Sequence, residues 1–418
     1  MTTYFSPLLH FYQPPTQDIK ILKLIDKECY KPVLKIIQKN DNAKFCLNIN
    51  GVLIEMLYEY DLEDTLDLLK NLVSENKIEI LGTAKFHPIL PLIPKKEAQR
   101  QIQLNELINK TEFGRWEHKG FFPPEMSISS KVAKYIRDLG YKWVIISGIA
   151  CPIEWPYDKI LTSPNGLQLF FRDDILSNKI AFKSIKAKEF VKEITTIHKD
   201  KKQDYKNSSY IITAMDGETF GHHIKNYEIT FLNKMLEIIN EKEDIEIVFI
   251  SDLDKIFPLA KEKIIPRDSS WSTTFEDLKA NIPYPLWKHP SNNIHKYYWK
   301  MMNSLFNLMN IVDKLDLTGD WEVENYYTTA RYFYDRGLHS CPTWWANPDR
   351  GIWSPNLIHK GVELLIKTAL NAQMALAYAG KSEQGEGYFD SISYYHGLLL
   401  MEFYAITKKI KKIPDKSN

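Results

Sequence analysis

Short apolar runs alternate with helix-patterned stretches as far as about residue 260, and then the runs stop. Eight runs read as strands: Thr3–Leu9, Lys44–Ile49, Lys77–Leu81, Gly120–Phe122, Lys142–Ser147, Gln168–Phe171, Ser209–Met215 and Ile245–Ile250. Between them, Lys95–Thr111 follows Pro94, and Ser127–Leu139 opens on a serine and closes at Gly140, both helix-boundary signals. Such alternation implies parallel strands buried on both faces. Seven or eight units of this kind fit a closed barrel as well as an open sheet. Residues 263–290 carry Pro266, Pro283, Pro285 and Pro290 and read as a long structured loop. Helical patterns follow at Ile294–Lys314, Trp321–Arg336, Pro355–Tyr378 and Tyr388–Ile410, with no clear strand among them. The chain thus divides into an α/β barrel over 1–262, a loop at its cleft over 263–290, and a helical bundle over 291–418. A length of 418 residues suits one large domain plus a smaller one.

Charge narrows the partners. With 54 basic and 53 acidic side chains the formal net charge is +1, which argues against nucleic acid or an anionic membrane. The basic runs Lys183–Lys192 and Lys199–Lys202 read as solvated faces, and Lys408–Asn418 as a frayed tail. Cys29, Cys46, Cys151 and Cys341 are scattered, without the close pairing of a zinc site. Met1–Pro15 lacks the basic start and apolar run of a signal peptide, and no run reaches the roughly 20 apolar residues of a membrane helix. The expectation is a cytoplasmic protein with reduced thiols. A homo-oligomer is left open. Rings make up 13% of the chain, and aromatic planes serve equally as core packing and as stacking surfaces for sugar C–H faces.

In a parallel barrel, chemistry gathers where strands end. Four clusters occupy such positions: His10-Phe-Tyr12-Gln13, Thr83-Ala-Lys-Phe-His87, Phe122-Pro-Pro-Glu125 and Asp216-Gly-Glu218 through His222-His223. Two prolines fix the backbone entering Glu125, and Asp216 ends an apolar run. Two carboxylates from different strands are equipped for glycoside chemistry. Each also fits as a helix N-cap, and both readings stand. The histidines suggest a metal site of the deacetylase or mannosidase kind, but Phe11-Tyr12-Gln13 supplies no acid beside the first of them. We expect no metal and no cofactor. Neutral His and Gln offer a donor and an acceptor to a sugar hydroxyl. Trp271, Trp287, Trp344 and Trp345 read equally as cleft walls or as interface packing.

Taken in order, these clusters resemble the motifs of glycoside hydrolase family 57, the α-glucan-active group of amylases, amylopullulanases, 4-α-glucanotransferases and branching enzymes. Its His-x-His-Gln-Pro motif is similar to His10-Phe-Tyr12-Gln13-Pro14, and its Gly and apolar-Pro motif to Glu79–Gly82 with His87–Pro94. Its Gly-x-Trp-Pro-x-Glu motif resembles Gly120-Phe-Phe122-Pro123-Pro124-Glu125, and its Asp-Gly-Glu motif is Asp216-Gly217-Glu218. A fifth, in the helical region, is similar to His339–Trp345. Tyr12 and Phe122 depart from the pattern, and the fifth stretch lacks an acid before its aromatic pair. The resemblance spans roughly residues 1–350. It implies an incomplete (β/α)7 barrel followed by a helical bundle, and a retaining enzyme acting on an oligo- or polysaccharide. Glu125 would be its nucleophile and Asp216 its acid/base. His10, Gln13, His87, Phe122, Glu218, His222, His223 and the four tryptophans would line the subsites. A non-catalytic glucan-binding protein on the same scaffold is the alternative.

Overall fold

The computed structural model describes residues 2–114, 116–196 and 208–410. The run Lys199–Lys202 and the end of the tail, 411–418, lie outside them. The described residues form two compact units. One runs through Lys85 and from Ile89 to Phe275, and the other comprises Phe86–Pro88 and continues from Glu276. The division falls inside the stretch 263–290.

The first unit carries ten strands among its described residues. They are β1 (Thr3–Phe11), β2 (Phe45–Ile49), β3 (Ile78–Ile80), β4 (Gly120–Phe121), β5 (Trp143–Ser147), β6 (Ile160–Thr162), β7 (Gln168–Arg172), β8 (Ser209–Asp216), β9 (Ile245–Ile247) and β10 (Leu259–Lys263). Parallel ladders run β3-β2-β1-β8 and β7-β5-β4. Gly82 joins the two sets: its N–H donates to Gly120 O (2.9 Å), and its carbonyl accepts from Phe122 N (2.8 Å). At the other seam β7 and β8 belong to separate sheets. They meet through Asp173 N to Ile212 O (2.8 Å) and Arg172 Nε to Ala214 O (2.7 Å). Seven strands thus close a ring with one imperfect joint, an incomplete (β/α)7 barrel.

Strand parity sorts side chains between lumen and exterior, because successive residues point to opposite faces. Leu8, Cys46, Leu81, Phe122, Trp143, Ile145, Phe170, Tyr210, Ile212 and Ala214 pack into one buried cluster. Their neighbours Phe121, Val144, Ile146, Leu169 and Phe171 belong to another, together with Ile102, Val132 and Ile136 from the covering helices. Burial on both faces is why the strands read as continuous apolar runs rather than alternating ones. The helix expected at Ser127–Leu139 begins at Ser130, because Ser129 caps it by accepting from Val132 N, and Gly140 ends it at φ 99°.

In the second unit, helices span Asn293–Val312, Trp321–Gly337, Pro355–Tyr378 and Glu383–Ile410. The last starts before the expected Tyr388. Asn292 and Asp320 cap the first two. Two short antiparallel strands, Ala346–Asn347 and Ile352–Trp353, interrupt what the sequence presents as purely helical. Among the described residues no helix is long and apolar enough to cross a membrane.

Candidate active site

Register assembles the upper rim of the barrel. His10 lies opposite Asn48 on one side and Asp216 on the other, and Ser147 lies opposite Arg172. These positions share the lumen-facing parity of the residues beneath them, so the apolar lumen ends in a polar layer. His10 is 4% exposed, and its Nδ1 bonds Asn48 Oδ1. Burial lowers its pKa to about 4, with the Asn48 bond opposing, so the ring is neutral at physiological pH. Arg172 is locked by Ala214 O, Asp174 Oδ1 (2.6 Å), Asn178 Oδ1 (2.9 Å) and the Trp271 ring, 5.8 Å from the guanidinium carbon.

Glu125 reaches this layer from a strained corner. β4 ends at Phe121, Pro123 and Pro124 hold the following backbone, and Glu125 and Met126 both adopt positive φ (57° and 48°). Non-glycine residues there cost about 1–3 kcal/mol each, so the turn persists only because its surroundings impose it. Trp271 is the clamp. Its backbone N–H donates to Glu125 O (3.1 Å) and its indole Nε1 to Glu125 Oε2 (2.7 Å). Phe122 is fully buried, stacks on His10 at 5.0 Å and meets Trp271 edge-on at 5.8 Å.

Glu125 and Asp216 are each partly exposed as residues, while the residues preceding them are buried. Burial raises the Glu125 pKa to about 8, with the Asp216 charge adding to the rise and the Trp271 bond opposing it. Burial raises Asp216 to about 6, against the pull of Arg172. The pair therefore carries one proton and one negative charge between about pH 6 and 8. In the ligand-free protein the charge favours Asp216, because Arg172 stands beside it.

The remaining expected residues fall into groups. Gln13 and Glu218 are turned toward each other. Gln13 Nε2 donates to Glu218 Oε1 (2.8 Å), Tyr30 OH donates to the same oxygen (2.5 Å), and Gln13 Oε1 accepts from Gln17 (2.6 Å). They brace the loop after Asp216 from below, and burial with the Asp216 charge raises Glu218 to about 8. His222 bonds Glu28 (2.7 Å), which also pairs with Lys225, and His223 beside it is exposed. In the second unit, His87 is buried and its Nδ1 lies 3.0 Å from Ser340 Oγ. Trp287 is completely enclosed, so it presents no ring face to solvent. Trp344 and Trp345 are half-buried and pack edge to face at 4.7 Å. Sequence reasoning missed Asn48, Arg172, Tyr30 and Glu28. Arg172 alone carried a signal, a cation ending an apolar strand. Among the described residues no group of three or more His, Cys, Asp or Glu is placed to hold a metal ion.

Comparison with known proteins places this architecture. Residues 4–266 match the family model described as glycosyl hydrolase family 57. A protein named α-amylase from Pyrococcus abyssi is 27% identical over 266 residues, 60% of this chain and 38% of the relative. A putative α-amylase from Methanocaldococcus jannaschii is 28% identical over 272 residues, 62% and 57% of the two chains. The chain thus spans about four to six tenths of the length of these relatives. A branching enzyme of the family from Pyrococcus horikoshii shares the fold at a TM-score of 0.74 and 13% identity, over 96% of this chain and 97% of that one. The match covers more than half of the sequence and every strand of the ring, and on that footing the chain belongs to glycosyl hydrolase family 57.

Proposed function

We propose that the upper mouth of the barrel is a retaining glycosidase or transglycosylase site for α-glucans, with Glu125 as nucleophile and Asp216 as acid/base. The observation that carries this is the pair itself, two partly exposed acids at the upper ends of β4 and β8, across the ring from each other, sharing one proton across neutral pH. That is the stock a double displacement needs. Glu125 Oε attacks the anomeric carbon as the glycosidic bond breaks, and Asp216 delivers its proton to the leaving oxygen. Asp216, now charged, takes a proton from water or from a sugar hydroxyl, which displaces Glu125 and restores the starting state. The Trp271 N–H stabilises the Glu125 charge before attack and again as it leaves. Neutral His10 and its Asn48 support offer sugar-hydroxyl partners beside Asp216. The relatives' names support the substrate class. Four free cysteines suit a cytoplasmic setting.

One observation favours the exchanged roles. In the empty site the charge rests on Asp216, whereas this mechanism needs it on Glu125. Stereochemistry decides. Glu125→Gln and Asp216→Asn are assayed on an activated aryl α-glucoside or maltooligoside with azide. The expected outcome is an azide product of retained configuration from Asp216→Asn and an inverted one, or none, from Glu125→Gln. The opposite pattern exchanges the roles. Full activity of either variant leaves a non-catalytic binding protein as the better account.

A further inference from the structure

The barrel has a second mouth. A cavity of about 670 Å³ opens among Ile78, Lys142 and Trp143, where β3 and β5 begin, and Phe249 and Ser251, just past β9. Asp216, by contrast, closes β8, so this opening lies at the opposite end of the strands from the reacting pair. Its size falls within the range of small-ligand sites. The lower end of such a barrel ordinarily serves stability, and a recess of this size with charged and aromatic walls is unexpected there.

Its walls narrow what it can take. Glu79 faces the lumen from the middle of β3, opposite Cys46, whose Sγ lies 3.5 Å from its Oε2. The Glu79 side chain is only 10% exposed, with Lys119 Nζ 3.9 Å from Oε1. Burial raises its pKa, opposed by Ser251 and then by the Lys119 charge. Two indoles line the cavity with their N–H groups engaged, Trp143 buried in the core beneath and Trp116 partly exposed. Trp143 Nε1 donates to Ser251 Oγ and Trp116 Nε1 to Ile80 O, both at 3.0 Å, so neither ring is free to turn. Around the opening Lys119, Lys142 and Lys255 stand against Glu117, Asp252 and Asp254. An anion entering here meets those acids and Glu79. A cation meets three lysines, one of which already attends Glu79. A neutral polyhydroxylated ring suits both, laying its C–H face on the partly exposed Trp116 indole and its hydroxyls on Glu79, Lys119 and Ser251.

We infer that this lower mouth is a second oligosaccharide site, which holds a short neutral glucan segment at the end of the barrel remote from the reacting carboxyls. The inference rests on the reading of the chain as an α-glucan enzyme. It is tested by calorimetric titration of maltotetraose into the full chain carrying Glu125→Gln, which prevents turnover. Two ligands per chain are expected. Adding Glu79→Gln, which keeps the side chain's shape, should weaken one of them at least tenfold. Adding Ser74→Trp instead, at an exposed lining residue, should fill the opening and remove that ligand. Circular dichroism and melting temperature matching the parent exclude misfolding in either variant. Binding that neither change alters overturns the second site and leaves the glucan reading intact. The absence of any binding in all three proteins overturns both.

Discussion

At the scale of single residues, the chemistry turns on who stabilises which carboxylate. Trp271 donates to the Glu125 carboxyl, and its bond favours the charged form. Trp271→Phe keeps the ring and deletes the N–H. A charge-assisted bond contributes about 1.5–3 kcal/mol, so kcat/KM should fall about 10- to 100-fold. Losing the bond raises the Glu125 pKa from its present value of about 8, so the alkaline limb of the rate profile should move to higher pH. An unmoved limb would separate Trp271 from the titration. The sequence singled out Glu125 and Asp216 by their prolines and strand ends and read Trp271 as a possible cleft wall, but it could not announce the bond that joins Trp271 to Glu125, 146 residues away. Nor could it reveal that Gln13 and Glu218, 205 residues apart, spend their polar atoms on each other. Such pairings are made by the closing of the barrel, and local pattern carries no trace of them.

At the scale of elements, close approach fixes where the strand ends point. A Cβ added to Gly217 would stand 2.1 Å from Cε1 of the fully packed Phe11 ring. Gly217→Ala must therefore push apart β1 and the turn that carries Asp216 and Glu218. Overpacking of this kind costs about 1–3 kcal/mol, and a displacement of the acid near 1 Å lowers rate about 100-fold. The expected result is a modest loss in unfolding free energy by denaturant titration and a far larger loss in kcat. Equal, small losses would mean that the turn tolerates the shift. The seven strands of the ring were legible because two buried faces leave an unbroken apolar run, whereas the short β6 and the exposed β10 were not. The short pair at Ala346–Asn347 and Ile352–Trp353 was not, since two residues give no period.

At the scale of the whole molecule, buried ionisable groups set how stability follows pH. Glu125 and Glu218 have folded-state pKa values raised to about 8 and Asp216 to about 6. Raised carboxyls contribute stability that is complete below their unfolded values, near 4, and lost as pH rises through the folded ones. His10, His295 and His339 act oppositely, with values lowered to about 4, 4 and 3, so they cost stability only below about pH 6.5. Between about 6.5 and 8 the carboxyl loss stands alone, and the melting temperature should fall across that interval. Glu218→Gln retains an oxygen to accept the Tyr30 and Gln13 bonds without a charge to bury. It should flatten the fall and raise the melting temperature at pH 8 by about 1–2 °C for each kcal/mol recovered. A slope left unchanged in scanning fluorimetry would remove Glu218 from the account.

The assignment of Phe86–Pro88 bears on ancestry. Three residues from the middle of the barrel's sequence belong to the helical unit, and His87 there is tied to Ser340 by side chain and backbone alike. A module that takes three residues from the middle of another's sequence cannot be cut away at a single linker and grafted elsewhere. Recombination that exchanged the helices alone would strand that loop without its partners. On these bonds, helices and loop move intact only as one piece.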